Sequence, residues 1–189
     1  ELFGSPKAER VEAMRGKTVW LIAGAHLVDY VAETARQLVE TAQVARVVLL
    51  ATSADDAGVL AAPLEGLAGI ETLVVGDAIE AGMDEAMRRW GRPIAVVCAP
   101  MGELPTTLFD ADKPLSAEGF AAAVEANLTW HFRVTRKAAL YDDCQLILVT
   151  PDVPTGGAPA AFALANFFQT SLHAFTATVA VESERLVHD

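Results

Sequence analysis

The chain has 189 residues, 52% of them hydrophobic, with 14 Lys and Arg against 25 Asp and Glu and a formal net charge of −11. That size and composition suit one substantial α/β core and exclude a disordered chain. The acidic balance excludes a nucleic-acid partner, because phosphate binding needs clustered Lys and Arg, and no basic amphipathic segment suits a membrane surface.

Residues 1–16 read as a lead-in carrying a short helix opened by Ser5-Pro6, and residues 17–189 as the domain itself. The opening lacks Met, a signal-peptide pattern and a bilayer-long apolar run, so it reads as an excised part of a longer cytoplasmic chain. Lys17–Ala23 is a short run of β-favouring apolar residues, which predicts a buried strand. Gly24–Ala42 follows as a helix with Leu27, Val31, Ala35 and Leu38 on one side. Ala45–Ala51 is the second strand, Thr52–Gly69 a polar turn with a short helix, and Ile70–Gly76 the third strand. A helix over Ala78–Trp90 ends at Gly91, and Pro93–Ala99 is the fourth strand.

After a loop with Pro100, Gly102, Pro105 and Pro114, Ser116 suits the N-cap of a helix running from Ala117 to about Leu140. Cys144–Thr150 is the fifth strand. Gly156 and Gly157 lead into one long helix, Pro159–His188, with Pro159 in the first turn where its missing N–H costs nothing. Phe162, Phe168, Leu172, Phe175, Val179 and Glu182 follow one side of it, while Leu164, Phe167, Leu186 and many alanines cover the others. A helix apolar nearly all round must be buried on more than one face.

Strands that are continuous apolar runs and alternate with helices predict a doubly wound, mainly parallel Rossmann-type sheet with helices on both faces. Cys98 and Cys144 fall inside such runs and read as reduced core thiols. His131 and His173 lie on helices with no Ser, Cys or carboxylate partner in view, Glu182 and Arg185 read as a helix-surface pair, and no nucleophile triad or metal-ligand spacing is present.

The run Gln169–Glu182, QTSLHAFTATVAVE, resembles the helix of short-chain dehydrogenases/reductases that follows their Tyr-x-x-x-Lys pair and closes on Ala-x-Glu, here Ala180-Val181-Glu182. In that register the Lys position falls on Gln169 and the Tyr position on Ala165; a competing register gives Phe162 and Asn166. The family reduces carbonyls with a Tyr proton donor whose pKa a nearby Lys lowers, and Ala165 can neither donate nor be activated. The resemblance thus implies no catalytic residue here.

The same resemblance bears on the cofactor. The family's Gly-x-x-x-Gly-x-Gly phosphate turn is here Gly24-Ala25-His26-Leu27-Val28-Asp29-Tyr30, with one glycine kept. Val28 and Tyr30 stand where glycine avoids a clash, and Asp29 adds negative charge, so no cofactor is expected in this segment. Ala51-Thr52-Ser53-Ala54-Asp55 offers no Arg for a ribose phosphate. Gly24, Asp77 (at the adenine-contacting Asp position) and Asn127 (at the family's helix Asn) are vestigial matches. Helix-start Asp is also common as a cap, and without Tyr and Lys, Asn127 is expected to hold an irregular helix turn. Val97-Cys98-Ala99-Pro100 keeps only the Ala of the family's Asn-Asn-Ala-Gly, and Thr150, Pro151 and Asp152 stand near its catalytic Ser.

The segment Phe162–Arg185, with CQLILVTPDVPTGG before it, is similar to the C-terminal part of the large bacterial malonyl-CoA reductases. That resemblance implies a degenerate dehydrogenase-like unit beside a catalytic one that takes malonyl-CoA to malonate semialdehyde with NADPH, the product going on to 3-hydroxypropanoate elsewhere in the parent chain. The unit's partner would be the catalytic dehydrogenase-like domain, met through Ala117–Leu140 and Pro159–His188, in a homo-oligomeric parent. The alternatives are an active oxidoreductase with an atypical site, or a nucleotide- or CoA-binding module without turnover.

Overall fold

Five apolar runs become five strands. The computed structural model describes residues 12–103, 115–150 and 163–186, without the side chains of 163 and 180–186. Its strands are β1 (Thr18–Ile22), β2 (Arg46–Ala51), β3 (Ile70–Val74), β4 (Ala95–Cys98) and β5 (Gln145–Leu148). They form one sheet in the order β3-β2-β1-β4-β5. Every pairing is parallel, Val19 of β1 lying between Val47 of β2 and Ala95 of β4. The expected doubly wound parallel sheet is present. Each strand is one to three residues shorter than its apolar run, because flanking residues already turn toward the loops.

Side chains alternate across the sheet. Val19, Leu21, Val47, Leu49, Ala95 and Val97 point to one face, which α1 (Val28–Arg36) and α2 (Ala54–Ala61) cover with Val31, Ala32, Ala35 and Leu60. Trp20, Ile22, Val48, Leu50, Val96 and Cys98 point to the other. There α3 (Ile79–Trp90) contributes Ile79, Met83 and Ala86, and α5 (Trp130–Ala138) contributes Trp130, Val134 and Ala138. Trp20 is fully buried and meets Tyr141 edge-on, ring centroids 5.7 Å apart. β5 is different: Gln145 and Ile147 lie beyond the cover of α1 and α2 and are exposed.

Two helices expected to be continuous are broken. Gly24–Ala42 resolves into a 3₁₀ turn at Ala25–Leu27, then α1, then a π turn at Gln37–Thr41. Gly24, at the N-cap, has no side chain to satisfy the first N–H groups, and a tightened first turn takes over that role. The stretch Ala117–Leu140 resolves into α4 (Ala117–Val124), a π turn at Glu125–Thr129, and α5. Ser116 caps α4 as expected, its hydroxyl accepting from the Gly119 N–H at 3.0 Å. Leu140, the expected end, lies in an exposed turn beyond α5. Gly91 ends α3 at φ 78°, a conformation that favours glycine.

The long helix is α6 (Ala163–Leu186). Residues 187–188 and 159–162, with Pro159 and Phe162, lie outside the described residues, as do Ser5-Pro6, Gly156-Gly157 and the Glu182–Arg185 side chains. α6 runs beside α4 and α5 in the same direction: Phe167 meets Phe120 (centroids 6.1 Å) and Phe175 meets Phe132 (6.0 Å). By sequence, Phe162, Phe167, Phe168, Leu172 and Phe175 together exceed the apolar surface that one sheet face covers. That is corrected for two of them. Phe168 and Leu172 are buried within the chain, Phe168 against Ala123, Val124 and Leu128. The i, i+4 ridge Leu164–Phe168–Leu172 faces inward, because α4 and its π turn lie alongside.

The last turn of the lead-in belongs to this core. Met14 packs on the α1/α2 face, and the Gly16 N–H donates to the Gln43 carbonyl at 2.9 Å. Cys98 is a buried free thiol, whereas Cys144 stands just before β5 and is only half-buried, so it is not the core residue expected.

Candidate functional site

Strand order reverses between β1 and β4, and open α/β sheets bind ligands at the C-terminal ends of the strands beside such a point. Here Gly24 leaves β1. Its N–H donates to the Pro100 carbonyl at 3.0 Å, and its carbonyl accepts from Leu27. A Cβ at Gly24 would lie 2.5 Å from the Met101 carbonyl oxygen and 2.7 Å from His26 Nδ1. This glycine therefore allows the loop after β4 to close onto the turn. Val28 is turned into the α1/α2 core rather than standing over the turn, while His26, Asp29 and Tyr30 are exposed.

At the end of β2, Thr52 donates its hydroxyl to the Asp56 carboxylate, and Ser53 Oγ accepts from the Asp56 N–H at 3.0 Å. These residues cap α2, whose first turn carries Asp55 and Asp56 and no cation. After β3, Asp77 is exposed and is not a helix cap: the N-cap of α3 is Ala78, without a side-chain bond. Asp77, Ala78, Ile79, Glu80, Ala81 and Arg133 line an open cleft of about 430 Å³. Arg133 lies 3.0 Å from the Glu125 carboxylate.

Asn127 is where the sequence reading is most informative. It sits inside the π turn between α4 and α5, 1% exposed. Its Nδ2 donates to the Ala123 carbonyl at 3.0 Å, and its Oδ1 accepts from the Gly102 N–H at 3.4 Å. It thus supplies a side-chain bond where the π turn widens the helix ladder and ties that turn to the loop after β4.

One turn further on, His131 is fully buried, and sequence reasoning missed this. The available signal was the spacing Asn127, His131, Thr135, which puts three polar residues on one helix line. Burial pushes the His131 imidazole below its ordinary pKa, against the opposing pull of the Asn127, Cys98 and Val149 backbone. None of these closes a hydrogen bond to either ring nitrogen. Burial likewise pushes the Cys98 thiol far above the ordinary thiol range.

Ala165 and Gln169 lie one turn apart on α6, both half-buried beside the Leu164–Phe168–Leu172 ridge. Asn166, of the competing register, is exposed. Thr150 is half-buried, and Pro151 and Asp152 lie outside the described residues. At these positions the chain offers amides and a hydroxyl, with His26 on the surface and His131 sealed inside. Among the described residues no group of three His, Cys, Asp or Glu could hold a metal ion.

Compared with solved structures, the chain superposes over its whole length on the C-domain, with NADP, of a bacterial malonyl-CoA reductase, with a TM-score of 0.87 and 54% identity. The chain is a homologue of one stretch of that C-domain. It spans 29% of the length of that chain. Short-chain dehydrogenases/reductases share the fold. One from Serratia marcescens gives a TM-score of 0.68 at 18% identity, over 91% of this chain and 70% of that one. The NADPH-dependent 3-quinuclidinone reductase from Rhodotorula rubra gives 0.63 at 15% identity, over 95% and 70%. At such identities the likeness shows the fold alone. No family model and no curated protein sequence matches the chain. Among the described residues no helix of this C-domain homologue is long and apolar enough to cross a membrane.

Proposed function

We propose that this C-domain homologue is a degenerate dehydrogenase-like unit that packs on, and supports, a catalytic sister domain in an NADPH-dependent malonyl-CoA reductase. The parent reaction is reduction of malonyl-CoA to malonate semialdehyde, on to 3-hydroxypropanoate. The observation that carries the reading is the pair Ala165 and Gln169 on α6. Carbonyl reduction needs a proton donor at the developing alkoxide, and neither side chain ionises near neutrality. The β1 turn supports it. A dinucleotide pyrophosphate needs free backbone N–H groups and no competing negative charge, whereas the Gly24 N–H is bound to Pro100 and Asp29 is exposed nearby. NADPH is therefore assigned to the parent's catalytic domains, with no step of the reaction on this unit.

The docking face is the outer side of α4, α5 and α6. Phe120 (36% exposed), Phe132 (48%) and Phe167 (45%) stand on it, with Phe175 beside Phe132. They form two aromatic pairs, Phe120 with Phe167 and Phe132 with Phe175, and exposed apolar groups of this kind mark interaction surfaces. The deciding experiment is Phe167→Asp in the parent polypeptide. Malonyl-CoA reduction should fall although Phe167 touches no substrate, and unchanged activity and domain association would end this reading.

The cleft at Asp77 favours one second reading, a nucleotide- or CoA-binding module without turnover. Arg133 could meet a phosphate there, although Asp77 and Glu80 share the lining and Glu125 already holds the guanidinium. CoA binding to the chain that is lost in Arg133→Ala would favour it.

A further inference from the structure

Asn127, His131 and Thr135 recur every four residues along the π turn and α5, and they are 1%, 0% and 2% exposed. That spacing lines them up on the inward side of the helix. Asn127 satisfies both ends of its amide. The next two do not: among the described residues neither His131 nitrogen nor the Thr135 hydroxyl has a partner. Native interiors rarely leave polar groups so, and each exception needs a cause.

The surroundings of the ring are backbone and apolar. The backbone of Asn127, Cys98 and Val149 favours its charged form and desolvation opposes it; no side-chain charge contributes. From β4 the one titratable neighbour is Cys98, held neutral by burial. From α6 the inward residues are Leu164, Phe168 and Leu172, and His173 is exposed. Just after β5 comes Val149, which does not titrate, and α3 brings Glu80 and Asp84, paired at the surface with Arg136 and Lys137 of α5. A proton on His131 would turn both nitrogens into donors and place an uncompensated charge there. Relief requires α5 to move and admit water. The adjacent residue on α5, Phe132, lies on the outer side against Phe175, with the Arg136 guanidinium 5.8 Å from its ring centroid.

We propose that His131 is a proton-operated switch: protonation in mildly acidic solution releases α5 from the sheet and dismantles the Phe132–Phe175 platform on the outer face. The proposal rests on the docking reading only where it gives that platform a partner. The sign follows from the neutral ring belonging to the closed state. Closure is fully favoured above the ordinary histidine value, about 6.5, and weakens as pH falls below it toward the lower value of the buried ring.

Hydrogen exchange in the intact polypeptide tests this locally. At about pH 5.5 against about pH 7.5, corrected for intrinsic exchange, peptides covering residues 125–138 should lose several-fold of their protection. Peptides from β1 and β2 should not. His131→Gln should abolish the pH response, while His26→Gln and His173→Gln keep it. Wild-type protection that ignores pH, or a response that survives His131→Gln, would overturn the switch. If His131→Gln fails to fold, ring NMR of the wild type decides: a His131 that protonates while 125–138 stay protected also overturns it. Because the readout lies within α5, a Phe167→Asp variant with normal activity would remove the docking reading and leave this result standing.

Discussion

The N–H of Gly24 is bound to the carbonyl of Pro100 at 3.0 Å, across the point where the strand order reverses. That bond ties the β1 turn to the loop after β4, and a Cβ at Gly24 would meet the next carbonyl, that of Met101.

Gly24→Ala should therefore destabilise the chain by about 1–3 kcal/mol, the usual cost of overpacking a site whose neighbour is backbone. The φ of −71° is open to any residue, so the loss would come from the clash alone. Urea unfolding of the variant checks this, with an unchanged midpoint as the contrary result.

Phe167 and Phe168 are adjacent and should behave oppositely. Phe168→Ala empties a fully buried site and should cost about 3–5 kcal/mol of stability. Phe167→Ala, at a residue 45% exposed, should stay within about 1 kcal/mol in the chain alone, its effect emerging in the parent polypeptide. Equal losses in denaturation of the two variants would mean that α6 is rotated from the position described.

NADPH should bind the chain weakly, because the β1 turn keeps one glycine of its pattern and has its first N–H occupied. Calorimetry would contradict this with micromolar affinity at physiological salt.

Asn127→Leu removes the bonds to Ala123 and Gly102 while filling similar space. It should cost about 1–3 kcal/mol, the range for leaving buried partners unsatisfied. Faster exchange at the Gly102 amide would be the local sign.

Glu85 accepts from Arg88 Nε at 2.8 Å and Arg89 Nε at 2.6 Å, which hold its pKa down to about 2. A depressed carboxylate pKa means that its contribution to folding is present above the ordinary value, about 4.5, and is lost as pH falls toward about 2. Carboxyl NMR titration should show Glu85 as the late-protonating glutamate, and its titration should return to the ordinary range in Arg88→Ala/Arg89→Ala.

Much of this protein is decided locally. Continuous apolar runs such as Arg46–Ala51 have nowhere to go but a sheet covered on both faces, and chain chemistry sets Ser116 as a cap and Gly91 as a stop. Ala165 and Gln169 cannot donate protons in any fold. The irregular turn at Asn127 was implied by the family resemblance at that position and not by the local pattern.

Other features belong to the tertiary structure. Periodicity says which residues share a helix face, but not which face finds a neighbour. Phe167 and Phe168 look alike in sequence, and only the course of α4 beside α6 buries one and exposes the other. The breaks in Gly24–Ala42 and Ala117–Leu140 carry no Gly or Pro at the break to announce them. His131 reads as an ordinary helix residue until β4 and β5 close over it, because burial belongs to what packs around a side chain and not to the residue itself.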